Sequence, residues 1–144
     1  MLKLSKKADY GLIAVRHLAC CAPRESCSAS DIAAIYSISI PLLAKVLQRL
    51  ARQGLVTSRH GSGGGYQLAR DPKEISAFEV IDAIDGPMHI TSCLTSHGEC
   101  DQSSKCTVRE PLRRVNESIM QVLRNVTISQ MSEDSAGELV ELSN

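Results

Sequence analysis

The chain has 144 residues, 43% of them apolar and 22% charged, which suits one domain with a real core and excludes wholesale disorder. Acids and bases balance, yet residues 1–75 hold 11 Lys/Arg against 5 Asp/Glu and residues 76–144 hold 5 against 11, so only the first half is suited to approach a polyanion. No run of about 18 apolar residues is present to span a membrane, and charges inside the N-terminal apolar stretch are wrong for a signal peptide; a cytoplasmic protein without membrane contact is expected.

SKKADYGLIAVRHLACC reads as a helix, with Ser5 as its cap and Leu12, Val15, Leu18 and Ala19 at helical spacing. PRESC interrupts it. SASDIAAIYS forms a second helix, with Ser28 and Asp31 at capping-box spacing and Ile32, Ala33 and Ile35 facing inward. After the short SIS turn, IPLLAKVLQRLARQG forms a third, with Pro41 in its first turn. Leu43, Val46, Leu47 and Leu50 make its apolar stripe, and Gly54 closes it. Two short helices across a tight turn are the helix-turn-helix arrangement, although plain helical hairpins share that pattern.

LVTSRHGSGGGYQLA separates the two readings. Leu55, Val56 and Thr57 begin a strand, Tyr66, Gln67 and Leu68 return, and RHGSGGG lies between them as a glycine-rich tip. No Lys-Ser/Thr ends the glycine run and no helix begins there, so a phosphate-binding loop is excluded. The expected fold is mainly α with a small β-hairpin wing: a winged helix-turn-helix followed by a long dimerisation helix. DPKEISAFEVIDAIDG supplies a further helix, capped by Ser76 and Glu79, with Phe78 in the core and Gly86 at its end. Beyond a cysteine-bearing loop, Val108, Leu112, Val115, Ile119, Val122 and Val126 recur at steps of 4, 3, 4, 3 and 4, an a/d seam that predicts a homodimer. The expected divisions are a DNA-binding domain over 1–86, a loop over 87–107, the seam helix over 108–131 and a flexible acidic tail over 132–144.

The RHGSGGGYQLA wing, the capped helix, the three cysteines of CLTSHGECDQSSKC and the seam helix together resemble the winged-helix regulators that sense iron–sulfur clusters, the family that includes IscR, NsrR and RirA. The resemblance runs from LSKKADYGLIAVRHLA to the vicinity of Met131. It implies a homodimeric transcription factor on a pseudo-palindromic operator in double-stranded DNA. It also implies a bound iron–sulfur cluster, [2Fe-2S] in preference to [4Fe-4S], and control of cluster-assembly and iron-homeostasis genes by repression. A nitric-oxide-responsive repressor of the same family is an alternative, as is, from another class, an iron–sulfur electron carrier. No substrate pocket or nucleotide fingerprint points to an enzyme.

Cys93, Cys100 and Cys106 are separated by six and five residues, too widely for the C-x₂₋₄-C knuckles typical of zinc but suited to wrapping a larger cluster, whose usual ligands are thiolates. Three thiolates leave one position open. Some members of the family fill it with a His three residues after the last cysteine; here Arg109 stands there, and a guanidinium has no lone pair to give. Others use an acidic residue of the first helix from the second subunit, which implies Asp9 in KKADYG, with His97 and Glu99 as local competitors. Cys20, Cys21 and Cys27 carry no ligand role in this reading, and at least one of Cys20 and Cys21 is expected to pack inside. For DNA, Ser39, Lys45, Gln48 and Arg49 on the third helix are the expected readers, Arg59 enters the minor groove beside the wing, and Gly61, Ser62, Gly63 and Gly64 offer backbone N–H groups to phosphates.

Overall fold

In the computed structural model, described over residues 3–22, 25–91, 94 and 105–134, six helices surround one apolar core and a two-stranded hairpin projects from it. Helix α1 (Lys6–Cys20) begins where the Ser5 hydroxyl accepts from the Ala8 N–H at 3.0 Å. It packs on α3 (Ile40–Arg52), α4 (Ala77–Asp85) and α6 (Ile128–Asp134), and Ala8, Leu12, Ala14, Val15 and Leu18 are buried beneath them. Helix α2 (Ala29–Tyr36) is capped by Ser28, which accepts from the Asp31 N–H at 3.0 Å. Ile35, expected inward, is 59% exposed. The buried arc of this two-turn helix runs through Ile32, Tyr36 and Ala33, and Ile35 falls about 100° from its centre at about 100° per residue.

Ser37 (φ 55°) and Ile38 turn the chain into α3, and the buried Ile38 returns its N–H to the Ala33 carbonyl at 2.9 Å. The stripe of Leu43, Val46, Leu47 and Leu50 is buried as expected. Gly54, at φ 77°, then lets the Leu55 N–H reach the Leu50 carbonyl at 3.0 Å.

Strand β1 (Val56–Arg59) pairs antiparallel with β2 (Gly65–Leu68), in the register Val56 to Leu68 and Arg59 to Gly65. A segment not foreseen as part of the wing completes it. Cys27 exchanges two backbone hydrogen bonds with Tyr66, at 2.9 and 2.8 Å, and so adds a third short rung to the hairpin. That approach requires glycine at 65: a Cβ there would lie 2.5 Å from the Cys27 carbonyl oxygen, and φ is +153°. The Ser26 hydroxyl donates to the Gly63 carbonyl at 2.6 Å, fixing the tip.

Both halves of the Ser76/Glu79 capping box are present at the start of α4, a pairing worth about 1 kcal/mol. Phe78 is not a core residue. It is half-buried, with the Arg124 guanidinium 4.3 Å above its ring, a cation–π contact made from α5 (Arg109–Asn125).

The seam helix expected to reach Met131 ends at Asn125. Val126 turns extended and gives its carbonyl to the Ala77 N–H at 2.8 Å, and Ile128 donates to the Ile75 carbonyl at 2.9 Å. Thr127 and Gln130 then form a second reciprocal cap, at 3.0 and 3.1 Å, for the short α6. Ile128 is fully buried, and Arg16 of α1 donates to the Met131 carbonyl at 3.3 Å. Residues 132–134, expected in a flexible tail, therefore belong to a helix docked on the first half of the chain.

Candidate nucleic-acid interface and cluster site

The exposed face of α3 carries the expected DNA-reading side chains. Ser39 precedes the helix without a side-chain capping bond, so its hydroxyl is not spent on the backbone, and Lys45, Gln48 and Arg49 are exposed. Arg49 also joins two helices, because its Nε donates to the Ala83 carbonyl of α4 at 2.9 Å. Its guanidinium is thereby anchored on the neighbouring helix, and Lys45 and Gln48 are left as the freer groups of that face.

Two features here escaped the sequence reading. Ile40 is 51% exposed at the N-terminal end of α3, an apolar side chain open to solvent. Lys6 and Lys7 of α1 line an open groove of about 690 Å³ together with Lys45, Gln48, Arg49 and Arg52. The K-x-x-K-K spacing of Lys3, Lys6 and Lys7 was the available signal, but only the fold brings the start of α1 beside α3. The Ser5 hydroxyl and N–H both bond the Asp85 carboxylate at the end of α4, which holds that lysine-bearing end in place.

On the wing, Arg59 is exposed at the end of β1, where the Gln67 amide oxygen of β2, in the orientation that satisfies both groups, accepts from its guanidinium. Gly61, Ser62 and Gly63 are exposed at the tip, and Gly64 is half-buried beneath it, its N–H already given to the Gly61 carbonyl at 3.0 Å. Gly64 therefore has no spare donor for a phosphate.

Of the three loop cysteines, Cys93 and Cys100 lie outside the described residues, as do His97 and Glu99. Cys106 is a free, half-buried thiol two residues before Val108, the residue that precedes α5. The other end of the loop is also tied to α5: Asn116, the buried polar side chain of that helix, accepts from the Ile90 N–H at 2.9 Å. Asp9 is exposed on the first turn of α1, beside a cleft shared with Lys3, Lys6 and Asp85, and makes no ion pair among the described residues. His89 also escaped notice. Its Nδ1 is buried without a hydrogen-bond partner among the described residues, in a cleft lined by Phe78, Asn116 and Met120.

The rest of α5 is open. Val108, Val115 and Val122 are 53%, 48% and 62% exposed, and Leu112 and Ile119 are half-buried. Val126 departs from this seam, since it follows the helix and packs on the core. Arg113 bonds both Glu110 and Glu117 along the solvent side of α5, and its hydrogen bonds hold the Glu110 carboxyl below its usual range.

A family model described as Rrf2, iron-dependent transcriptional regulator, matches residues 4–134. The chain belongs to the Rrf2 family of transcriptional regulators. It is 30% identical to the HTH-type transcriptional regulator IscR of Vibrio vulnificus over 142 residues, covering 99% of this chain and 83% of that one. It is 31% identical over 130 residues to the IscR of Klebsiella pneumoniae, covering 90% and 79%. Among solved structures, IscR of T. potens superposes with a TM-score of 0.74 at 30% identity, over 93% of this chain and 88% of that one. CymR, the global cysteine regulator of B. subtilis, superposes at 0.76 with 28% identity, over 92% and 98%. Membership of the Rrf2 family makes the chain an IscR-like DNA-binding transcriptional regulator rather than an enzyme. No described helix is long and apolar enough to cross a membrane.

Proposed function

We propose that this Rrf2 regulator is a homodimeric repressor that senses iron–sulfur status and controls cluster-assembly and iron-homeostasis genes through a pseudo-palindromic operator. The observation that carries the reading is the attachment of the three-thiol loop at both ends to α5, through Asn116 at one end and through Cys106 beside the helix start at the other. An all-sulfur trio with wide spacing suits an iron–sulfide unit better than a single zinc ion. When bound to Cys93, Cys100 and Cys106, a [2Fe-2S] cluster supplies a link that responds to iron supply and oxidation.

The chain's own residues convert that link into a DNA signal. α5 carries the open valine seam, so the loop is joined to the helix that would set the distance between two subunits. Asp9, exposed on α1, is the proposed fourth ligand from the partner subunit, and α1 packs directly on the reading helix. Operator half-sites lie about one helical turn apart, so a change in the spacing of two reading heads changes affinity. Ser39, Ile40 and Lys45 sit at the end of α3 that meets base edges in helix-turn-helix proteins, and an exposed Ile suits a thymine methyl. Lys6, Lys7, Gln48 and Arg52 face phosphates in this reading, with Arg49 holding α3 to α4.

Arg59→Ala is expected to weaken operator binding by about 1–3 kcal/mol if Arg59 reads bases, and to reduce the salt slope by about one if it meets phosphate only. Fluorescence anisotropy over a salt series separates the two, and an unchanged affinity at low salt would remove the wing from DNA contact. The electron-carrier alternative requires no promoter footprint at all.

A further inference from the structure

We infer that His17, Cys21 and Cys27 form a binding site for one zinc ion, separate from the cysteine loop, that ties the end of α1 to the wing. One ring nitrogen of His17 and the two sulfurs all lie within 4.8 Å of one another, and all three side chains are half-buried. His17 lies in the last turn of α1, Cys21 is the extended residue that caps its end, and Cys27 comes from the rung against β2. The Tyr36 hydroxyl stands 3.0 Å from His17 Nδ1, with the two rings edge to face at 5.5 Å, and so orients the imidazole. The neutral imidazole carries its proton on one ring nitrogen and keeps on the other the lone pair a metal needs. Two sulfurs, one imidazole and an open fourth position are a zinc donor set.

The Cys21 and Cys27 sulfurs are 2.7 Å apart. Tetrahedral zinc with bonds of about 2.3 Å would hold them about 3.8 Å apart, so one of them swings by about 1 Å on binding. A disulfide would use the same two sulfurs but leave His17, and the tyrosine that orients it, without a part. Glu25 bears electrostatically on Cys21 and lines an open cleft with it, which leaves the fourth position to water or an exogenous donor. Burial pushes the Cys21 thiol up to about 12, followed by its hydrogen bond with Cys27.

The mechanical consequence follows from Cys27's other bonds. Its backbone carries the Tyr66 rung, and the neighbouring Ser26 holds the Gly63 carbonyl, so an ion on Cys27 braces the wing through the segment docked on it.

The test is a zinc titration of the reduced full-length chain carrying Cys93→Ser, Cys100→Ser and Cys106→Ser, in competition with a chromophoric chelator. One zinc per chain is expected, with affinity falling about tenfold or more in Cys21→Ser, Cys27→Ser and His17→Ala. Cobalt(II) in place of zinc should give the thiolate charge-transfer absorption of a sulfur-ligated ion, and circular dichroism confirms that each variant is folded. Absence of zinc uptake by the reduced chain, or uptake indifferent to all three substitutions, overturns the site. A Cys21–Cys27 disulfide in air from a chain that takes up no zinc when reduced also overturns it and assigns the pair to thiol oxidation.

Discussion

Cys106→Ala is expected to yield a colourless chain. Visible absorption and bound iron in anaerobically purified protein should fall to background, while far-UV circular dichroism stays unchanged, because the thiol lies outside the buried core. Cys93→Ala and Cys100→Ala should do the same. Operator affinity should move by about 5–150-fold, the usual size of coupling between two sites, and by linkage DNA must change cluster retention by the same factor. Asp9→Ala should leave a cluster that forms but is lost faster. If Asp9→Ala left absorption and stability unchanged while His97→Ala or His89→Ala abolished them, the fourth ligand would be reassigned to that histidine.

The second large effect concerns α5. In the proposed dimer, Val115→Glu with Val122→Glu should give monomers, read by light scattering, because two carboxylates per subunit would have to be buried unpaired in an apolar seam. Both valines are largely exposed in the single chain, so the monomer should stay folded by far-UV circular dichroism while its melting temperature loses the concentration-dependent contribution of the dimer. Two linked reading heads gain about 10²–10⁴ in avidity over one, and operator affinity should fall by that order. A variant that remained dimeric would place the interface elsewhere.

Much of this was legible in the sequence, for reasons that differ by element. Ser5, Ser28 and Ser76 announce helix starts because a cap is a local bond between residues three apart. The glycine run marks the hairpin because only a turn needs so many unhindered residues. Ile35 and Phe78 were misplaced because a short helix leaves the choice of buried arc to its neighbours. The break after Asn125 had a visible signal, Thr127-x-x-Gln130, which is a second capping pair inside the apparent seam. The continuing apolar period masked it, and the hydrogen bonds from Ala77 to Val126 and from Ile128 to Ile75 that enforce the break span about 50 residues. The same holds for the lysines of α1 beside α3. Residues distant in the chain meet there only after the core has formed.

Operator affinity in the absence of oxygen, measured on the chain's own promoter for cluster-loaded and cluster-free protein at one salt concentration, tests the regulator most directly. The expected result is a brown protein whose affinity differs between the two forms by at least about fivefold. Equal affinity in both forms, or oxygen-free protein that holds neither iron nor colour, would contradict cluster sensing and leave a regulator whose signal enters elsewhere.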